Sequence, residues 1–318
     1  MIEQNNSQCP QCGEPVESNW RICPVCEIRL QSPICPGCGQ SVKENWKRCP
    51  ACESLLACAQ CKHRLQKGES ACPTCSPAVD APEDINRLEP FEDPVTGMQI
   101  VPVAGGTFQM GDEFNQGSDN ERPVHSVTLN DFYIATTPVT QKQWCKLMPD
   151  NPSQFKGPDQ PVEQITWDAA MHFINLLNQA HQGSYLFDLP TEAQWEYAAR
   201  SGGKRQLYAG GDNISTLAWY EDNSRGSTQP VATKAANGLG LFDMSGNVWE
   251  WCKDAYQADA YSGYPIHNPF VDLPTPDRVI RGGSWHLDAW STRCARRFSC
   301  ARDFYGPGLG FRVVMIKF

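Results

Sequence analysis

The chain has 318 residues and a mass of 35.4 kDa, with 40% hydrophobic and 20% charged residues, a net charge of -9 at pH 7 and a mean hydropathy of -0.48. That size predicts two domains, and the lack of any apolar run of roughly 18 residues excludes a membrane-spanning helix. Sixteen cysteines, twelve of them before residue 76, with no basic-then-apolar leader at the start, predict metal thiolates in a reducing cytoplasm in place of a disulfide framework.

Those twelve cysteines form three repeats. Cys9, Cys12, Cys23 and Cys26 recur as Cys35, Cys38, Cys49 and Cys52, and again as Cys58, Cys61, Cys72 and Cys75. Ten residues separate the two CxxC pairs within every copy, while eight and five separate the copies. Constant internal and variable external spacing means that each copy closes its own site. Two CxxC knuckles complete a thiolate tetrahedron at about 2.3 Å per sulfur, and with all four positions filled no coordination site is left for catalysis. Residues 1–78 are therefore read as three tandem zinc ribbons holding three structural zinc ions and serving as a docking handle for a protein partner. Gly13 and Gly39 follow the second cysteines where a positive φ is expected, and Trp20 and Trp46 are expected beside the metals. Residues 1–80 hold eight Lys/Arg and eight Asp/Glu, so tetrathiolate zinc would make the segment acidic, which argues against nucleic acid as its partner. Residues 79–94, rich in proline and acid, are read as a linker.

From 95 to 318 many short segments are punctuated by glycine and proline, which predicts an α+β domain with much irregular structure. Strands are expected over 100–103, 124–128 and 132–135. A capping box from Thr140 to Gln143 predicts a helix carrying Trp144, Leu147 and Met148 on one face. An apolar stripe of Trp167, Met171, Ile174 and Leu177 predicts a second helix over 166–181, and a capping box from Thr191 to Gln194 a third, running to Ala199 before Gly202. Further strands are expected over 279–281 and 310–316.

The stretches Val103-Ala-Gly-Gly-Thr-Phe-Gln-Met-Gly111, Pro123-Val-His125, Thr137-Pro-Val-Thr140, Leu189 to Arg200, Gly240 to Trp251, Arg281-Gly-Gly-Ser-Trp285 and Gly310-Phe-Arg312 resemble, in that order, the sulfatase-modifying, formylglycine-generating enzyme family. The resemblance implies a C-type-lectin-like fold. It does not by itself imply the activity. The family's copper-binding cysteine pair falls two and seven residues after the aromatic of the GGS-aromatic motif, which here gives Leu287 and Thr292, neither able to act as a thiolate. Cys294 and Cys300 are out of register, so copper is not expected. The related sulfoxide synthases need iron-binding histidines from a further helical domain, and the six histidines here are scattered. The resemblance also implies a calcium site at Asp243, Gly246, Val248 and Glu250; alternatively Asp243 and Asn247 satisfy turn amides.

Residues 285–309 carry Trp285, Trp290, Phe298, Phe304 and Tyr305 among small polar residues, the composition of a binding surface. Trp285 and Trp290 are expected in the core. The layout from RGGSW to GFR resembles the variable region of retroelement-diversified proteins. On that resemblance, 285–312 is a variable binding segment. Arg281, Arg293, Arg297, Pro307 and Arg312 are its scaffold, and His286, Leu287, Asp288, Ser291, Arg296, Phe298, Ser299, Asp303, Phe304 and Tyr305 are ligand-binding. The expected function is a non-catalytic binding protein with no membrane partner and an unassigned ligand. The alternatives are a formylglycine-generating-type oxidoreductase acting on a sulfatase cysteine or related thiol, and a plain zinc-ribbon adaptor, which requires Phe298, Phe304 and Tyr305 to be buried.

Overall fold

The computed structural model describes residues 7–8, 15–16, 89–182 and 185–317 and separates into two units, Met1–Arg87 and Leu88–Phe318. In the first unit β1 (Ser7–Gln8) pairs antiparallel with β2 (Pro15–Val16), Ser7 opposite Val16. The twelve ribbon cysteines, Trp20, Trp46 and the linker up to residue 88 lie outside the described residues.

The second unit runs β3 (Phe91–Glu92), β4 (Gln99–Val103), β5 (Gly106–Met110), β6 (His125–Leu129), β7 (Phe132–Ala135), α1 (Gln141–Trp144), α2 (Trp167–Ala180), β8 (Tyr185–Asp188), α3 (Glu192–Ala199), α4 (Ile214–Leu217), β9 (Trp249–Ala255), β10 (Asp277–Arg281), β11 (Arg297–Ala301), β12 (Leu309–Gly310) and β13 (Val314–Lys317). One sheet has the order β3-β4-β7-β13-β8, all antiparallel. The other has the order β11-β10-β9-β12, with β12 parallel to β9, and β5 and β6 form a separate hairpin.

Local chemistry explains the helices. Thr166 caps α2 by accepting from the Ala169 amide, and Ala170, Phe173, Ile174 and Leu177 form its buried stripe. Both capping boxes form: Thr140 and Gln143 exchange side-chain bonds with each other's amides at 3.2 and 2.9 Å, as do Thr191 and Gln194. The helix expected to carry Leu147 and Met148 stops after Trp144 and loosens into turns, and the indole Nε1 of Trp144 donates to the Asp150 carbonyl at 2.7 Å. Trp144 stacks on Phe173 at 5.5 Å and meets Phe311 edge-on at 6.2 Å, joining α1 and α2 to the chain end in one core. A second core surrounds Trp195, Cys252, Val279 and Cys294.

The strand expected over 310–316 is divided. Leu309–Gly310 belongs to one sheet and Val314–Lys317 to the other. Between them Arg312, fully buried, donates to both oxygens of Glu250 at 2.6 Å, and this ion pair takes the chain across from sheet to sheet. Strands β3, β5, β8, β9 and β11 carry no expectation from the sequence, and β3 and the buried Asp93 place the end of the stretch read as a linker, 79–94, in the second unit. One burial expectation is corrected: Trp290 is 38% exposed.

Candidate binding cavity

The segment after β10 is shaped by two glycines. Gly282 has φ +98° and lies 3.1 Å, at the position of a Cβ, from the Trp195 ring; Gly283 has φ +74° and would place a Cβ 2.7 Å from the Ser291 carbonyl. No larger residue fits this doubling back. The Asp288 carboxylate then accepts from the Ser291 amide at 2.9 Å and caps the short turn Ala289–Thr292. From there β11 returns along β10, with Ile280 opposite Phe298, and residues 302–308 turn the chain back onto β9.

Buried arginines hold this segment to the core. Arg293 places two nitrogens on the Glu121 carboxylate at 2.8 and 3.0 Å, and Arg297 does the same to Glu192 at 2.7 Å for both. Arg281 pairs with Glu196, whose other oxygen takes the Arg200 Nε at 2.8 Å. The expected scaffold residues Arg281, Arg293, Arg297 and Arg312 are all within 2% of full burial. Bidentate pairing is what lets guanidinium groups stay charged there.

Above this layer lies a cavity of about 530 Å³. Its walls include His286, Leu287, Ser291, Arg296, Phe298 and Phe304, six of the ten expected ligand-binding residues, brought together from a loop, a turn, a strand and a second loop. The remaining four are placed elsewhere. Asp288 is exposed and caps the turn, Ser299 alternates with the wall residues Phe298 and Cys300 along β11, Asp303 is exposed outside the walls, and Tyr305 lines a neighbouring groove of about 380 Å³ with Trp144, Met148 and Pro152. The remaining walls come from Trp249, Ile280, Trp285, Cys300, Gly306, Pro307, Gly308 and Leu309, which the sequence reading did not assign to a ligand site. Trp249 and Ile280 read as ordinary core residues in a sequence; only the closing of β11 over β10 and β9 turns them toward a void.

Phe298, Phe304 and Tyr305 are 48%, 50% and 60% exposed, so the burial that a plain adaptor requires does not occur. Phe298 lies over Trp249 with ring centres 6.3 Å apart. The His286 Nδ1 lies 3.1 Å from the Ser284 hydroxyl, and partial desolvation lowers the imidazole below its ordinary pKa. Arg296 lies 4.4 Å above the Trp290 ring and 5.5 Å from that of Phe298.

Of the two oxidase positions one lies at this cavity and the other, Thr292, is buried outside its walls. Leu287 is in its wall, and the Thr292 hydroxyl donates to the Ala289 carbonyl at 2.9 Å. Cys294 is buried in the Trp195 core, where desolvation pushes its thiol up to about 12, whereas Cys300 packs against the other core and is pushed up by burial to about 11. Thiols in this state are poor nucleophiles and poor ligands. The calcium positions fit a cation unevenly. Asp243 is fully buried and accepts from the Ala232 amide at 2.8 Å, with burial raising its carboxyl to about 6, but both oxygens of Glu250 are taken by Arg312 and one also by the Trp195 indole at 2.7 Å. The Asn247 Nδ2 lies 3.4 Å from Asp243, and the Asn247 Oδ1 accepts from the Gln229 amide at 3.0 Å, so both side chains satisfy loop amides. Among the described residues no group of three or more His, Cys, Asp or Glu stands as a metal cluster.

Residues 86–317 match the family described as Sulfatase-modifying factor enzyme 1-like domain. The chain belongs to that family. Residues 7–53 match Double zinc ribbon, which makes the first unit zinc-binding. Relatives of this sulfatase-modifying-factor domain include the "Chaperone protein LppX" of Paenibacillus barcinonensis, 31% identical over 69% of this chain and 89% of that protein, and the formylglycine-generating enzyme of Streptomyces coelicolor, 29% identical over 74% and 95%. Among solved structures the chain is similar to Treponema denticola variable protein 1, with 27% identity, a TM-score of 0.64, and coverage of 71% of this chain and 98% of that one. The C-type-lectin-like architecture read from the motifs is thus the fold of the second unit.

Proposed function

We propose that the chain is a non-catalytic binding protein, in which the family's domain presents the 285–309 cavity to a ligand and the zinc ribbons dock to a protein. One observation carries this reading. Residues from four separate pieces of the segment 285–312 converge on one apolar cavity, Phe298 and Phe304 among them exposed, while Arg293 and Arg297 between them are buried and paired. Such a surface can change its side chains at little loss of stability, because the fold is held from beneath. The likeness to a variable protein supports extending this to retroelement diversification, and a relative named a chaperone supports binding without turnover. The reading includes three zinc ions, the third in Cys58–Cys75 beyond the double-ribbon match, and a cytoplasmic location. No helix among the described residues is long and apolar enough to cross a membrane.

The test is a pair of measurements on the zinc-loaded chain. A neutral aromatic probe, the blocked dipeptide tryptophanyl-glutamine, should bind in calorimetry, and a Phe298→Ser, Phe304→Ser double variant should lose that binding without a fall in Tm. Copper titration with oxygen consumption on a thiol peptide should show no turnover; tight copper binding lost in Cys294→Ser and Cys300→Ser would establish the oxidoreductase instead. Neighbouring DNA lacking a reverse transcriptase and an adenine-substituted near-copy of the segment would remove the diversification.

A further inference from the structure

The cavity of about 530 Å³ is of a size that takes a large side chain or a small molecule, and its apolar walls do not distinguish one apolar group from another. The selective element stands at its edge. Arg122, Arg293 and Arg296 share only two carboxylates, Asp112 and Glu121, in the ion pairs that join them. Arg122 takes Asp112 at 2.9 Å and Arg293 takes both oxygens of Glu121, which leaves the cluster with one positive charge in excess. That excess falls on Arg296. Among the described residues its nearest carboxylate oxygen is 3.7 Å away on the already occupied Glu121, its guanidinium makes one hydrogen bond, to the Ser118 hydroxyl at 3.3 Å, and its buried Nε has no partner. The side chain is only 14% exposed, and it is held between Trp290 and Phe298 at the cavity wall. A guanidinium that is largely desolvated and underpaired gains more from an arriving anion than one already in a fork.

The rim identifies the kind of molecule. Phe298 and Phe304 in its wall are 48% and 50% exposed, and Trp290, which lies under Arg296, is 38% exposed, so that apolar surface extends beyond the cavity itself. Resting on the reading of this cavity as a ligand site, we propose that it takes a large apolar side chain of a protein partner whose neighbouring acidic side chain pairs with Arg296. The chain's net charge of -9 opposes an acidic partner at long range, so the attraction is local and acts within the Debye length of about 8 Å at physiological salt.

Two blocked dipeptides that differ only in charge test this on the full, zinc-loaded chain: tryptophanyl-glutamate and tryptophanyl-glutamine, titrated by calorimetry in low salt. The glutamate form should bind about tenfold more tightly, within the range of a charged hydrogen bond. In the Arg296→Gln variant the two forms should bind with equal affinity, and in the wild type raising salt should shrink the preference. Equal binding of the two forms, or a preference that survives Arg296→Gln, overturns this inference and leaves the cavity reading intact. Failure of both forms to bind overturns the two together.

Discussion

Glu163 shows how far a single residue can be read from its neighbours. It is buried, its Oε1 accepts from the Phe155 amide at 2.8 Å, and its Oε2 has no partner among the described residues. Burial raises its carboxyl to about 7 against the pull of the Phe155 and Gln154 amides. Because the folded pKa lies above the unfolded value of about 4.3, the folded state holds its proton longer. The associated stability is complete below the unfolded pKa and is lost as pH rises through about 7. Glu163→Gln stays neutral throughout, so its Tm should rise relative to wild type between pH 5 and pH 8, on a scale of about 2–4 °C per kcal/mol for a domain of this size. A constant Tm difference across that range would show that Glu163 does not titrate there. Nothing in the sequence marks Glu163, since its environment is set by residues from two turns of an irregular loop. The capping residues Thr140 and Thr191 are the opposite case: their partners lie three positions away, and both boxes were legible without the fold.

At the scale of an element, β11 divides core from cavity within one strand. Arg297 points into the core and Phe298 into the cavity, as alternation requires. Removing the guanidinium strands Glu192, a buried carboxylate, so Arg297→Met should destabilise by about 3–5 kcal/mol, whereas Phe298→Ser at an exposed position should stay within about 0.5 kcal/mol. Urea denaturation of the two variants checks this; similar midpoints would contradict the division of roles. The pattern of scaffold arginines was visible in the sequence, but β11 itself was not, because Arg-Phe-Ser-Cys-Ala alternates over only four residues and puts an arginine, not an apolar residue, on the face that is buried. α1 erred in the other direction. Its capping box and apolar spacing promise a longer helix than the four residues that form, since propensity yields to the loop that the Trp144 indole anchors at Asp150.

For the whole molecule, the division at residue 87 separates a zinc-binding unit from one with two hydrophobic cores of its own. Segments of about twenty residues cannot bury enough surface to fold unaided, and zinc binding supplies their folding energy. Native mass spectrometry should find three zinc ions per chain. Chelation should remove all three and leave the thermal transition of residues 88–318 within about 2 °C of its starting value, on the sensitivity given above; a transition that collapses with the metal would show that the second unit depends on the first.

Ribbon spacing, the order of the family's motifs and the loss of the cysteine pair at Leu287 and Thr292 could all be read from the chain alone, because each depends on residues close in sequence or on the identity of one side chain. The cavity could not. Its walls join Trp249, Ile280, Phe298 and Phe304 across a sheet whose register was unknown, and the state of Arg296 depends on how Arg122 and Arg293 had already divided Asp112 and Glu121. Competition among charges for partners is decided by distances in space, and those distances exist only once the loops have closed.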